Sequence, residues 1–151
     1  MKRFFSSRSL AWVLAVACVV ALAAPARAAK RAYQARGTAQ FTSPNTFVGS
    51  GDATHLGPYT EEGTAVFTET GDPAVQHVEA TTTYTADNGD KLTADIVGEL
   101  NGVTGVVTAT VTYTGGTGRF SNAVGTATLS GQFAAGSLQV VVVGTIDYPR
   151  K

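Results

Sequence analysis

The sequence predicts an all-β fold, a single antiparallel up-and-down barrel of about eight strands, and three observations lead to this. Apolar and polar residues alternate through most of the chain after residue 28, which is the period of a half-buried strand. Gly, Pro, Asn and Asp interrupt the alternation at short intervals, as turns do. A flat meander would leave two open edges, and closure into a barrel removes them. A two-sheet β-sandwich is the alternative.

Each strand is a stretch of alternation that ends at a turn sequence. Asn88-Gly89 predicts a type I′ hairpin, because both residues tolerate the positive φ that this turn requires. The strands are predicted at residues 32–42, 47–56, 59–69, 75–85, 91–100, 104–114, 122–133 and 137–148.

The apolar face of each strand is expected to point into the barrel. The last strand breaks the rule, because Val140–Val143 is apolar on both faces and reads as a strand covered on both sides. A homo-oligomer contact through Val141 and Val143 is the simplest cover. A covering loop or the N-terminal segment is the alternative.

The N-terminal segment has the three parts of a secretory signal peptide. A basic start is followed by the apolar run Leu10–Ala24 and by the A-x-A site Ala26–Ala28. We therefore expect cleavage after Ala28, export to a periplasm or the outside, and a mature barrel domain at 29–151. The apolar run is shorter than the roughly 20 residues that a helix needs to span a membrane, which favours a cleaved leader over a retained anchor. Lipidation at Cys18 is not expected, because Ala15 stands where a lipobox has a larger aliphatic residue.

Composition excludes several function classes once residues 1–28 are removed. Seven basic and eleven acidic residues remain without a basic stripe, which argues against nucleic acid as a partner. The only cysteine, Cys18, is lost with the leader. The mature chain therefore has no disulfide, thiolate metal site or cysteine nucleophile. There is also no G-x-S-x-G elbow, so hydrolase chemistry is unsupported.

One glycine-rich turn carries a family resemblance. Gly115-Gly116-Thr117-Gly118-Arg119-Phe120, with Ala123 and Gly125 after it, resembles the signature of the allene oxide cyclase/dirigent barrel superfamily. The stretches Gly51–Gly57 and Thr85–Asp90 are similar to those of secreted bacterial barrels of this type. The resemblance implies an eight-stranded antiparallel barrel, often trimeric, in which this turn joins two strands.

The resemblance does not extend to the activities of that family. Allene oxide cyclases hold a lipid-derived epoxide in the barrel, and dirigent proteins steer phenoxy radicals or related intermediates. We match none of their pocket carboxylates or other catalytic residues to a position of this sequence, so no activity is carried over. A fold hosts several functions.

Three polar residues are the candidates for chemistry. If the second and third strands point these residues inward, His55, Tyr59 and Glu61 meet near one mouth of the barrel, at the link Leu56–Pro58. An imidazole, a phenol and a carboxylate at an apolar pocket could orient a ligand or transfer a proton. The alternative is that they hydrogen-bond the backbone of the rim. Inner aromatic residues could form a ligand cage, although they more often form a core: Tyr84, Tyr113, Tyr148, Phe41 and Phe67.

The remaining polar features are expected to be structural. Gly115, Gly116 and Gly118 lie between two strands, whereas a phosphate loop needs a helix after it. Arg119 is expected to pair with an acid and lock this turn, with a ligand anion as the alternative. His77 and Glu79 share one strand face, but it is the polar one, so no metal site is predicted.

These observations favour an exported non-catalytic barrel that binds a small apolar molecule or serves a structural role at the envelope. One alternative is an isomerase- or cyclase-type enzyme using Glu61, Tyr59 or His55. Another is an interaction module using the face of the last strand. No cofactor is expected. Glu61 pointing inward beside an open cavity favours the enzyme, whereas a wholly apolar cavity favours the binder.

Overall fold

The computed structural model describes residues 29–149 and confirms the predicted barrel. Eight antiparallel strands follow one another around the wall, and the first pairs with the last. The alternative of a two-sheet sandwich is therefore wrong. Residues 1–28, on which the predicted leader and the question of Cys18 lipidation depend, lie outside the described residues.

Most strand limits fall within about two residues of the prediction. The largest difference is at the second strand, which ends at Ala53 because a turn begins at Thr54. A short 3-10 turn, Gly118–Phe120, follows the sixth strand. The strands are β1 (Arg31–Phe41), β2 (Thr46–Ala53), β3 (Gly57–Glu69), β4 (Val75–Ala86), β5 (Lys91–Asn101), β6 (Val106–Gly116), β7 (Val124–Ala134) and β8 (Ser137–Asp147).

The predicted inner faces are confirmed, because burial alternates along the strands and the apolar residues occupy the buried positions. The links define two ends of the barrel. We call the closed end the one that holds links 54–56, 87–90 and 117–123. The open end holds links 42–45, 70–74, 102–105 and 135–136.

The glycine-rich link between β6 and β7 covers the closed end. Phe120 is fully buried in the core below it, and its ring packs on Tyr148 with centroids 5.1 Å apart. Gly118 has a φ of +57° beside the Asp90 carboxylate, where a side chain would collide. Arg119 Nε lies 3.6 Å from Asp90 Oδ2. The link is therefore fixed to the neighbouring hairpin at this end.

The hairpin between β4 and β5 is present, but it is not the predicted type I′ turn. That turn needs positive φ at both central residues, and of the two only Gly89 has it, with a φ of +85°. Asn88 instead uses its side chain, which accepts from the Asp90 amide at 3.1 Å. Local side-chain hydrogen bonding of this kind competes with the backbone-only turn.

The outer face of β8 carries two exposed valines. Val141 and Val143 are 43% and 50% exposed, and the strand partners of Val141 are Arg36 and Ser130. Nothing within residues 29–149 covers them. The predicted homo-oligomer contact stays a prediction. No helix in the described part of the chain is long and apolar enough to cross a membrane.

Candidate functional site

The open half of the barrel contains a cavity, which we call the chamber. Its volume is about 70 Å³, counted as the space open to the centre of a water molecule. Small side chains on neighbouring strands leave this space, among them Ala39, Ala65 and Ala80. The lining is otherwise mostly aromatic and aliphatic: Phe41, Phe47, Tyr59, Glu61, Phe67, Val78, Tyr84, Ile96, Val107, Ala109, Leu129, Phe133, Leu138, Val140 and Val142.

Glu61 is the one carboxyl group in this described lining. It lies on the inner face of β3, opposite Gly49 of β2 and Tyr84 of β4. The residue is only 9% exposed. Acids are rarely this buried without a partner, because desolvation disfavours their charged form. The next residue, Glu62, is exposed on the outer face, so alternation along the strand separates the two acids.

Three glycines make room for the polar side chains of β3. A methyl group at Gly49 would collide with Glu61 Oε1, and at Gly37 or Gly51 it would lie 2.6 Å from the Tyr59 hydroxyl. The wall formed by β1 and β2 is therefore hollowed where these groups project. Glycine within a strand often marks such a close approach.

Burial decides the protonation of Glu61. Desolvation raises the pKa of Glu61 from 4.5 to about 7. The Thr82 hydroxyl donates to the backbone carbonyl oxygen of Glu62 at 3.2 Å. Turned to the Glu61 carboxylate instead, it favours the charged form and limits the rise of the pKa. Near neutral pH both forms of the Glu61 carboxyl are populated, which is the condition for a general acid or base.

A layer of four tyrosines forms the floor beneath Glu61. The Tyr59 and Tyr84 rings meet edge to face at 5.3 Å, and those of Tyr33 and Tyr113 lie 5.0 Å apart. Burial raises the pKa of each of the four above its ordinary value, with a further contribution from Glu61 for three of them. The phenols are therefore neutral across the physiological range, and Glu61 is the group that titrates here.

Phenylalanine rings surround the opposite side of the chamber, toward the open end. Phe41 is their centre, with ring centroids 5.7 Å from Phe47, 5.7 Å from Phe67 and 6.2 Å from Phe133. Phe41, Phe67 and Phe133 are partly buried, unlike the residues of the floor. We call these four residues the mouth. Aromatic rings at the mouth and a carboxyl at the floor give the chamber two chemically different ends.

The structure brings together some of the predicted site residues and separates others. Tyr59 and Glu61 line the chamber with Tyr84, Phe41 and Phe67. Tyr113 packs in the floor and is not among the lining residues described.

The expectation that His55 joins Tyr59 and Glu61 is wrong. Because β2 ends at Ala53, His55 lies in the following link at the closed end. Its Nε2 is 2.9 Å from the carbonyl oxygen of Ala32, and its ring packs on Tyr148 at 5.7 Å. The guanidinium group of Arg31 stacks on Tyr148 in turn, with its Cζ atom 4.1 Å from the ring centroid. The predicted mouth at Leu56–Pro58 is therefore at the closed end, and the chamber opens at the other.

Sequence reasoning missed Thr82, Phe47 and Phe133 as site residues. Thr82 shares the inner parity of Val78 and Tyr84 on β4, so alternation could have identified it. Phe47 on β2 and Phe133 on β7 also occupy inward positions, so the same alternation could have identified them. The hollow at Gly49 had no signal in a single sequence, since it depends on which residue faces it across β2 and β3.

The other candidate ligands do not form a metal site. Among residues 29–149, no group of three or more His, Cys, Asp or Glu side chains is placed to hold a metal ion. His77 Nε2 lies 3.4 Å from Glu79 Oε1 on the outer face, where both side chains are exposed. Arg119 faces Asp90 and is not among the chamber lining.

Fold and site together define a class: a closed antiparallel eight-stranded barrel with an apolar chamber around one buried carboxyl. No protein-family model and no curated protein matches the chain. A solved structure described as a nonspecific heme-binding cyclase, which catalyzes [4 + 2] cycloaddition during neoabyssomicin biosynthesis, is similar to it. That protein is 16% identical, with a TM-score of 0.47 over 81% of this chain and 68% of the other.

Proposed function

We propose that the chamber binds a small apolar molecule and that Glu61 exchanges a proton with it, in an isomerase- or cyclase-type reaction. The observation that supports this is the position of Glu61: a buried carboxyl in the wall of an otherwise apolar cavity. A wholly apolar cavity would have favoured the non-catalytic binder preferred from the sequence. Glu61 facing inward favours the enzyme alternative instead.

The proposed chemistry requires no reagent beyond the carboxyl group. Glu61 in its charged form removes a proton from a carbon next to an electron-withdrawing group of the ligand, and the C–H electrons shift into the ligand. The protonated Glu61 then returns that proton to another carbon as the double bond moves. One C–H bond breaks and one forms, so the product is an isomer. Apolar walls strengthen such electrostatic interactions by excluding water.

The chamber limits the size of this ligand. Its volume of about 70 Å³ is well below the roughly 300–1,000 Å³ of pockets for drug-sized molecules. The reacting end of the ligand is therefore expected to reach Glu61 while the rest extends through the mouth.

The same proposal includes export after cleavage at Ala28 and kinship with the allene oxide cyclase and dirigent barrels. Both are compatible with a barrel that receives an apolar molecule.

A β,γ-unsaturated cyclohexenone tests the proposed function, because proton transfer converts it to the conjugated isomer with a new ultraviolet absorbance. We expect the protein to accelerate this conversion, with a rate that rises as pH passes through about 7 and Glu61 becomes charged. Glu61→Gln should abolish the acceleration. Glu62→Gln, one residue away on the outer face, should retain it. Equal rates for wild type and Glu61→Gln would contradict the proposal.

A further inference from the structure

The charge of the chamber carries an inference about its ligand. Glu61 is the one acid of the described lining, and no Lys, Arg or His is part of it. The basic residues near the core have other partners: Arg119 faces Asp90, and Arg31 lies over the Tyr148 ring. When Glu61 is ionised, its negative charge therefore has no counter-ion within the described part of the protein.

We infer that the chamber selects its ligand by charge, accepting an apolar molecule whose leading end carries a protonated amine and rejecting the same molecule with a carboxylate. The inference rests on the proposed function, because it assumes that the chamber is the binding site. It adds the chemical class of the ligand, which neither the fold nor the resemblance provides.

Pairing explains the preference for a cation. A buried unpaired carboxylate is costly, and an ammonium group beside it forms a charge-assisted hydrogen bond that offsets the cost. A second carboxylate would place two like charges in a site of low polarity, which is strongly unfavourable. An alcohol of the same shape lies between the two, since it can donate a hydrogen bond to Glu61 without neutralising it.

The aromatic rings favour the same class. A cation near the face of a Phe or Tyr ring is attracted by the negative potential of that face, and more strongly where water is excluded. A ligand that enters through the mouth passes Phe41 and Phe67 before it reaches Glu61, which is flanked by Tyr59 and Tyr84. Aromatic rings at both ends of this path are available to a cation, and no described lining residue offers a positive charge to an anion.

The proposed proton transfer also benefits from a cationic ligand. Where the ligand itself arrives as an iminium cation rather than as an ammonium cation, removal of a proton from the neighbouring carbon by the Glu61 carboxylate leaves a neutral enamine and a neutral acid. Site and ligand together have zero net charge before and after the step, so little charge has to be solvated in the apolar chamber. A neutral ligand would leave one negative charge there throughout.

Depth along β3 sets the shape of the ligand. Phe67 at the mouth and Glu61 are six residues apart on one strand, about 20 Å at 3.3 Å per residue and less along the axis of a tilted strand. A single slender chain fits this distance better than a branched or fused ring system. Octylamine, octanol and octanoic acid are suitable probes because they share one tail and differ in the leading group.

The experiment is calorimetric titration of the purified protein with these three probes at pH 8. We expect octylamine to bind about tenfold or more tightly than octanol, as a charge-assisted hydrogen bond implies, and octanoate to bind weakest. Glu61→Gln should remove the advantage of the amine and retain octanol binding. Glu62→Gln should behave as wild type, which excludes a general effect of surface charge.

The outcomes separate this inference from the proposed function. Octanoate binding as tightly as octylamine, or an amine preference that survives in Glu61→Gln, would overturn charge selection while leaving the chamber as a binding site. Binding of none of the probes, together with no acceleration of cyclohexenone isomerisation, would overturn both proposals.

Discussion

The closed and open halves of the barrel are built from the same alternating pattern but have different interiors. In the closed half Tyr33, Leu92, Phe120 and Ile146 are almost fully buried and fill the space between the strands. In the open half small residues such as Ala65 leave a chamber surrounded by partly exposed rings. Alternation therefore determines which face of a strand points inward, whereas side-chain size determines whether the interior is a packed core or a cavity.

A matched pair of substitutions tests this contrast and has the largest expected effect. Phe120→Ala at the closed end removes a fully buried ring and should cost about 3–5 kcal/mol of unfolding free energy. Phe41→Ala at the mouth should cost only about 1 kcal/mol, because that ring is partly exposed and already borders a cavity. Urea unfolding of the two variants measures the difference. Equal losses would show that the two halves are packed alike.

The second prediction concerns the charge at the boundary between the halves. Glu61 has a pKa of about 7 in the folded chain against an ordinary value of 4.5. The folded state therefore binds the proton more tightly, and stability falls as pH rises from about 4.5 to 7. The loss is about 3 kcal/mol at 1.36 kcal/mol per pKa unit.

Glu61→Gln should remove this loss. The variant should equal wild type at pH 4 and exceed it by up to about 3 kcal/mol at pH 8, as measured by urea unfolding at both values. The groups that face Glu61 do not titrate in this window, because burial raises the pKa of Tyr33, Tyr59 and Tyr84. Glu62→Gln is the matched control. A Gln variant with the pH dependence of wild type would contradict the assignment.

The third prediction probes the hollow that holds the Glu61 side chain. Gly49→Ala places a methyl group against Glu61 and the Thr38 backbone, and such overpacking should cost about 1–3 kcal/mol. It should also weaken octylamine binding, because the carboxyl must move. Gly71→Ala is the control, since open space surrounds Gly71. Unchanged stability and binding in Gly49→Ala would show that the strands around Gly49 shift to accept a methyl group, and that the position of Glu61 does not depend on this glycine.

The smallest effect is expected at the ion pair of the closed end. Arg119 and Asp90 are partly exposed, with 3.6 Å between Nε and Oδ2. Arg119→Met should therefore cost less than about 1 kcal/mol, and the loss should shrink further in high salt. Octylamine affinity should not change, because Arg119 does not line the chamber. A loss of octylamine binding in this variant would show that the ion pair at the closed end affects the chamber, although Arg119 is not among its lining residues.

Sequence predicted the fold better than the site, for physical reasons that individual residues show. Alternation identified Glu61 and Tyr59 as inward residues because β3 is regular along its length. The same period failed for His55, because β2 had already ended and periodicity carries no information beyond a strand. The chamber itself depends on how side chains from different strands fit together. A single sequence does not encode that fit in any local pattern.

The pairing of β1 with β8 has a consequence for how the chain can be connected. Nine register pairs, from Arg31–Ile146 to Ala39–Leu138, join residues that lie roughly 100 positions or more apart along the chain, whereas every other ladder is a hairpin between neighbours. Closing this long loop is the one entropically demanding step of assembly. It also brings the start of β1 beside the end of β8, so a circular permutant opened at Ala135–Gly136 would keep every strand beside its two neighbours. In such a permutant β7 and β8, rather than β1 and β8, would be the paired strands that lie farthest apart along the chain.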